Sequence, residues 1–302
     1  MRRSDEGTGR AQPIFVGGKG HTGAAAIGKL LGQHSRFAFL PVELCLHATN
    51  RGLTDLLTGG SSIERFRQTA TERCYRRMTG KGGETGLFTV IDEDTFSVAL
   101  DRFEAEYETD AREAARTLVH SICDPKCHEQ GKRAWVDATP ENETAAATLL
   151  ELFPNSKVIH MLRDGRDVVR SRVHRGIERD WMTGLDRWGE QIRWIEEEHS
   201  HLPRGRTLTM RLEELTWSDR EGTYARLLAF LEVDDEPAMR RYFDQEMPPV
   251  RTHVRRWRRK LEVESAKAIE NRYAELVAEL GPLRATFESA LPVSETAGDQ
   301  AR

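Results

Sequence analysis

Two short segments, about 140 residues apart in this 302-residue chain, each read as a buried strand, a tight loop and the start of a helix. The first runs Pro13-Ile14-Phe15-Val16-Gly17-Gly18-Lys19-Gly20-His21-Thr22-Gly23 and leads into an Ala-rich stretch. The second runs Lys157-Val158-Ile159-His160-Met161-Leu162-Arg163-Asp164-Gly165-Arg166-Asp167-Val168-Val169-Arg170-Ser171. A helix N-terminus presents backbone N–H groups without intrahelical partners and a partial positive charge, which suits a phosphate. Two such sites on one sheet suit a ligand with phosphate at both ends, such as a nucleotide with a 5′-diphosphate-like arm and a 3′-phosphate.

The remaining pattern supplies the sheet and its cover. Strands are expected at 14–16, 37–42, 134–137, 158–162 and 207–211, where short β-branched or aromatic runs are bounded by turn residues. Ala24 to His34 favours a helix with Ile27, Leu30 and Leu31 on one face. Helices are expected over 143–153, from about Gly165, and over 219–232, 236–245 and 264–280. Residues 43–130 read as a mainly helical insertion with Gly-rich loops near 58–61 and 79–86. Strands alternating with helices imply an α/β fold with a central parallel sheet covered on both faces. Residues 1–11 and 286–302 read as disordered tails around a domain over 12–285. Trp188 and Trp194 sit at roughly helical spacing and read as core.

Composition narrows the function classes. With 31% charged and 38% hydrophobic residues the chain reads as a soluble globular protein. A net charge of −4 gives no general reason to expect a nucleic-acid partner. No apolar run is long enough for a membrane span, and Met1-Arg2-Arg3-Ser4 is not followed by the apolar core of a secretory signal. Four cysteines do not form a disulfide framework in a chain of this length, so a reducing cytoplasm is the expected compartment.

The two loops together resemble the sulfotransferases that use 3′-phosphoadenosine-5′-phosphosulfate (PAPS), of the bacterial type, with similarity over residues 13–280. The resemblance implies a P-loop-like three-layer fold, PAPS as co-substrate, and sulfuryl transfer to a hydroxyl of a small molecule or glycan; a homodimer is compatible with it. In that family the first loop binds the 5′-phosphosulfate and reads Gly-x-x-Arg-Ser-Gly-Thr-Thr. Aligned so that the following helix fits without a gap, His21 takes the basic position, Thr22 the serine, Gly23 the glycine, and Ala24 and Ala25 the two threonines. The nucleotide-binding loop implied is therefore Gly18, Lys19, Gly20, His21, Thr22, Gly23 and Ala24, with Lys19 or His21 as its cation. A slipped register would instead align Lys19-Gly20-His21-Thr22 with a Lys-x-Gly-Thr form. The second loop follows the family's Arg-Asp-x-Arg-Asp-x-x-x-Ser pattern, which implies that Arg163 and Ser171 hold the 3′-phosphate.

Sulfuryl transfer to a hydroxyl needs a base for the nucleophile's proton. Similar proteins carry a glutamate after the second strand, which implies Glu43 as base, and His47 would share its face if the segment is helical. Glu43, Lys19, His21 and His47 are thus the candidate catalytic residues. Trp135-Val136-Asp137-Ala138-Thr139-Pro140 resembles a Trp-x-Asp-Lys-Thr-Pro segment, with alanine at the lysine position and Asp137 and Thr139 expected either to line the cleft or to form a turn. The basic run from Arg251 to Lys260 either covers the nucleotide, through Arg255 or Arg258, or is a solvated face.

Other readings stay open on the residues alone. His120, Cys123, Cys127 and His128 lack the spacing of a metal site, and no metal is expected. Gly17-Gly18-Lys19-Gly20 lacks the full Walker string of a phosphotransferase. The methyl groups of Ala24, Ala25 and Ala138, where the family has hydroxyls and a cation, also fit a nucleotide-binding protein with impaired catalysis.

Overall fold

The computed structural model describes residues 9–18, 21–78, 83–248, 256–258 and 261–288. Strand β1 (Gln12–Gly17) leads through the first loop to α1 (Ala24–Leu31) and β2 (Phe37–Phe39). The insertion holds α2 (Leu53–Leu57), α3 (Ile63–Thr69), the short strands β3 (Arg77–Met78) and β4 (Glu84–Thr85), α4 (Glu93–Tyr107) and α5 (Ala111–Glu129). Then come β5 (Ala134–Asp137), α6 (Ala146–Leu152), β6 (Lys157–Leu162), α7 (Gly165–His174), α8 (Trp181–Ser200), β7 (Thr207–Arg211), α9 (Arg220–Leu231), α10 (Pro237–Glu246), α11 (Val263–Ala278) and α12 (Arg284–Glu288). The described residues fall into two compact units, 9–162 with 202–248, and 163–201 with 256–288.

The first unit is built on a five-stranded sheet in the order β2-β5-β1-β6-β7, with every pair parallel. Successive side chains of a strand point to opposite faces, and here both faces are buried. Ile14 and Val16 of β1 join Ala134, Val136, Ile159 and Met161 against Ile27, Leu30 and Leu31 of α1 and Leu227 of α9. Phe15, between them in sequence, faces the other way, into a core with Trp135, Leu118 and Ile122 of α5 and Leu149 of α6. Helices on both faces give the three-layer α/β fold expected from the alternation of elements.

The second unit packs α7, α8, α11 and α12 around Trp188, which lies edge-on to Phe287 and tilted against Tyr273. Glycine permits the close approach: a Cβ on Gly165 would fall 2.5 Å from the Trp188 indole. Glu178, buried beside α8, accepts hydrogen bonds from Arg172 at 3.0 Å and Arg187 at 2.8 Å and ties α7 to α8.

Several local expectations need correction. β2 ends at Phe39 rather than at residue 42, since Pro41 has no N–H to give the ladder, and beyond it Leu44 N–H bonds the Asp137 side chain instead of a strand backbone. The Gly-rich loop expected over 79–86 contains β4, which pairs antiparallel with β3. α1 stops at Leu31, where Gly32 N–H closes the last turn on Gly28. On the 20-residue α8, Trp188 is buried as expected but Trp194 is 43% exposed rather than core.

Candidate active site

The first loop leaves the carboxyl end of β1 and closes on itself. Gly17 has no room for a side chain, because a methyl there would overlap the backbone of Glu143. Gly18, at φ 151°, donates its N–H to Pro140 O at 3.0 Å, and the buried Thr22 hydroxyl donates to Gly18 O at 2.8 Å. The Thr22 hydroxyl, at the position aligned with the family's serine, is thus bonded within the loop. His21 holds the left-handed region at φ 64°, sparsely populated by residues with a Cβ, and is exposed. Gly23, also left-handed at φ 99°, caps α1 without any side-chain hydrogen bond; its carbonyl accepts the Ala26 N–H at 2.9 Å and the Ile27 N–H at 3.1 Å, which leaves the Ala24 and Ala25 N–H groups without an intrahelical partner. That is the chemistry of an anion site. Ala24 is buried and Ala25 exposed at the head of this helix. Lys19 and Gly20 lie outside the described residues, as does Arg255.

Glu43 lies in an irregular segment rather than on a helix, and Arg77 donates to its carboxylate at 2.9 Å. The helical face that would set His47 beside Glu43 does not form. His47 is fully buried and carries its own network: its Nε2 is 2.7 Å from Asn142 Oδ1 and 3.3 Å from Asp137 Oδ2. In this arrangement His47 has no surface to offer an acceptor. Asp137 and Thr139 are likewise fully buried and line no cleft. Asp137 accepts from Leu44 N–H at 3.1 Å, from the Thr139 hydroxyl at 2.8 Å and from Asn142 Nδ2 at 2.8 Å. The Thr139 hydroxyl also accepts from Cys45 N–H at 3.3 Å. The end of β5 thus grips the backbone immediately after Glu43. Burial alone would raise the Asp137 pKa, but the hydrogen bonds from His47, Asn142 and Leu44 outweigh it and hold the carboxyl below its usual range.

Two further buried pairs of the first unit escaped the sequence reading. His160 stands opposite Gly17 in the register of β1 and β6, and its Nε2 is 3.1 Å from Glu143 Oε2. Arg211, at the end of β7, is 3.3 Å from Glu213. A histidine inside an otherwise apolar strand was the available signal for the first pair. The second had only a charged residue at a strand end.

In the second unit the Arg-Asp-Gly-Arg-Asp motif divides its labour. Asp164 caps α7, accepting from Arg166 N–H at 2.9 Å, and then takes Nε at 2.9 Å and a terminal nitrogen at 2.6 Å from the same Arg166. The start of α7 is therefore occupied by its own carboxylate, a correction to the open helix N-terminus expected there. The Arg166 guanidinium is sandwiched between Trp257 at 4.7 Å and Tyr273 at 4.3 Å, and Asp167 accepts the Trp257 N–H at 2.9 Å. Arg163 is buried, with Asp167 at 3.9 Å, and Ser171 is half-buried on α7. Arg258 pairs with Glu270 and stacks on Trp257 at 5.2 Å. Among the described residues no group of three His, Cys, Asp or Glu side chains could hold a metal, and no helix is long and apolar enough to cross a membrane.

Residues 13–237 match the model of a family described as the sulfotransferase family. No curated protein matches at a significant level. Among solved structures, the sulfotransferase domain of the Synechococcus PCC 7002 olefin synthase aligns with a TM-score of 0.53 at 16% identity, over 93% of this chain and 100% of that chain. The sulfotransferase domain from the curacin biosynthetic pathway gives 0.49 at 18% identity, over 76% of each chain. A sulfotransferase from Alicyclobacillus acidocaldarius gives 0.48 at 16% identity, over 92% of this chain and 96% of that one. The first of these likenesses agrees with the three-layer α/β fold.

Proposed function

This chain belongs to the sulfotransferase family, and we propose that it moves a sulfuryl group from PAPS to a hydroxyl of a small molecule or glycan. The observation that carries the reading is the first loop: a backbone cradle at the carboxyl end of β1, closed by Thr22 and Gly18, that ends on the uncapped head of α1. A phosphosulfate arm suits that cradle, since fixed N–H dipoles favour negative charge without reorganising.

In the proposed reaction the acceptor oxygen attacks sulfur in line, the bond from sulfur to the bridging phosphate oxygen breaks, and 3′-phosphoadenosine-5′-phosphate (PAP) leaves with the electron pair. Glu43 takes the acceptor proton. Asp137 and Thr139 fix the backbone beside Glu43, with His47 and Asn142 holding Asp137 in turn. Lys19 or His21 neutralises charge growing on the bridging oxygen. Gly18, Gly20, Gly23 and Ala24 supply loop backbone, and Arg163 and Ser171 hold the 3′-phosphate. Arg166 and Asp167 hold Trp257, the neighbour of Arg258 in the basic run, and Arg255 and Arg258 are the residues proposed to cover the nucleotide.

A second reading has its own support. Ala24, Ala25 and Ala138 put methyl groups where the family pattern has two hydroxyls and a lysine, which fits a nucleotide binder with impaired chemistry. Incubation with radiolabelled PAPS and a panel of hydroxyl acceptors separates the two. Label transfer that disappears in Glu43→Gln supports the enzyme; PAP binding without any transfer supports the binder.

A further inference from the structure

A cavity of the first unit, about 910 Å³, lies at the amino ends of the strands, away from the carboxyl end where the glycine loop sits. Arg10, Arg36, Arg116 and Arg133 line it, with Glu113 the only acid among the lining residues. Glu113 is already shared, accepting from Arg10 at 2.7 Å and also pairing with Arg116. Arg36 and Arg133 form no ion pair with any described residue.

Their placement is built into the sheet. Phe37 of β2 stands opposite Ala134 of β5 in the parallel register, so Arg36 and Arg133, one residue earlier on each, are neighbours. Both Arg133 N–H and Ala134 N–H donate to Arg36 O at 3.1 Å, and Gln12 N–H donates to Arg133 O at 3.0 Å. Adjacent strands lie about 4.8 Å apart, so two arginines without carboxylate partners spring from neighbouring points of the sheet's end. Like charges brought together repel, and an anion between them removes the repulsion while engaging donors that have no carboxylate. Arg36 gives one nitrogen to Gln12 Oε1 at 2.7 Å, and a guanidinium has further donors in its fork. The cavity also has a wall for an organic body, with Phe153 and Pro154 on one side and the His120 ring, held by Asp124 at 3.0 Å, beside them.

We propose that this cavity binds a small organic polyanion whose carboxylate or phosphate groups bridge Arg36 and Arg133. The site lies at the end of the sheet opposite to the reaction loop, and it stands whether or not that loop binds PAPS. The test is calorimetric titration of the full chain with two probes, citrate and inorganic pyrophosphate, on the wild type and on Arg36→Ala, Arg133→Ala and Arg163→Ala. At least one probe should bind the wild type, weaken about tenfold or more in both Arg36→Ala and Arg133→Ala, and bind Arg163→Ala as it binds the wild type. Which probe binds distinguishes carboxylate from phosphate. Arg133 is exposed, so its variant should keep the wild-type melting temperature without ligand, which separates loss of the site from loss of the fold. Absence of binding by both probes, binding that survives Arg133→Ala, or loss only in Arg163→Ala would overturn the proposal.

Discussion

Asp137→Asn probes the polar network under Glu43 with almost no change of shape. Asp137 has no exposed surface, and one of its oxygens accepts from Leu44 N–H at 3.1 Å and the Thr139 hydroxyl at 2.8 Å. An asparagine oxygen can keep both bonds. The other oxygen faces Asn142 Nδ2 at 2.8 Å and His47 Nε2 at 3.3 Å, both of which supply hydrogens. An amide nitrogen there sets donor against donor. The loss is a charge-assisted hydrogen bond, worth about 1.5–3 kcal/mol, together with the penalty for a buried unsatisfied donor, about 1–3 kcal/mol. The expected destabilisation is therefore about 3–6 kcal/mol, a large part of the roughly 5–15 kcal/mol that folded proteins possess. In urea denaturation, with m about 3 kcal/mol/M, the midpoint falls by about 1–2 M at unchanged m. A midpoint within about 0.3 M of wild type would refute the network as an element of stability.

Three other expectations concern separate parts of the molecule. Glu43→Gln should reduce turnover by about 10²–10⁴-fold as a lost general base while changing stability by less than about 1 kcal/mol, since its pairing with Arg77 is at the surface; parallel kinetics and urea melts check both. Arg166→Met leaves Asp164 without its guanidinium partner in the interior and removes the cation between Trp257 and Tyr273, so denaturation should show a loss of about 3–5 kcal/mol, with red-shifted tryptophan emission. Because the Asp137 pKa is depressed in the folded state, its contribution is present above the unfolded carboxyl value, about 3.9, and is lost as pH falls through the lower folded value. Wild type should therefore lose stability below about pH 4 more steeply than Asp137→Asn, as read by melting temperature against pH.

The central sheet was legible because its strands are short apolar runs with a glycine loop or turn at their ends. β1, β5, β6 and β7 fall where periodicity and turn residues place them. The helix over 181–200 was less legible because its apolar positions are interrupted by Gly184, Gly189 and several charges; the glycines there serve close packing against Val169 and Leu276. Pattern reading placed both loops at strand ends but gave no sign of the bonds their side chains make. Thr22, Asp164 and Arg166 have the chemistry of ligand-binding residues, yet in the fold they brace the backbone and one another. The His47 network and the Glu143–His160 pair depend on contacts between strands and loops far apart in sequence, for which no local spacing gives a signal.

The most direct test of the account is calorimetric titration of the purified chain with PAP, with 5′-AMP as the control. Binding should depend on the 3′-phosphate, with 5′-AMP much weaker and PAP affinity reduced at least about tenfold in Arg163→Ala. No heat with PAP, or equal affinity for PAP and 5′-AMP, would contradict it and leave the fold without the proposed donor.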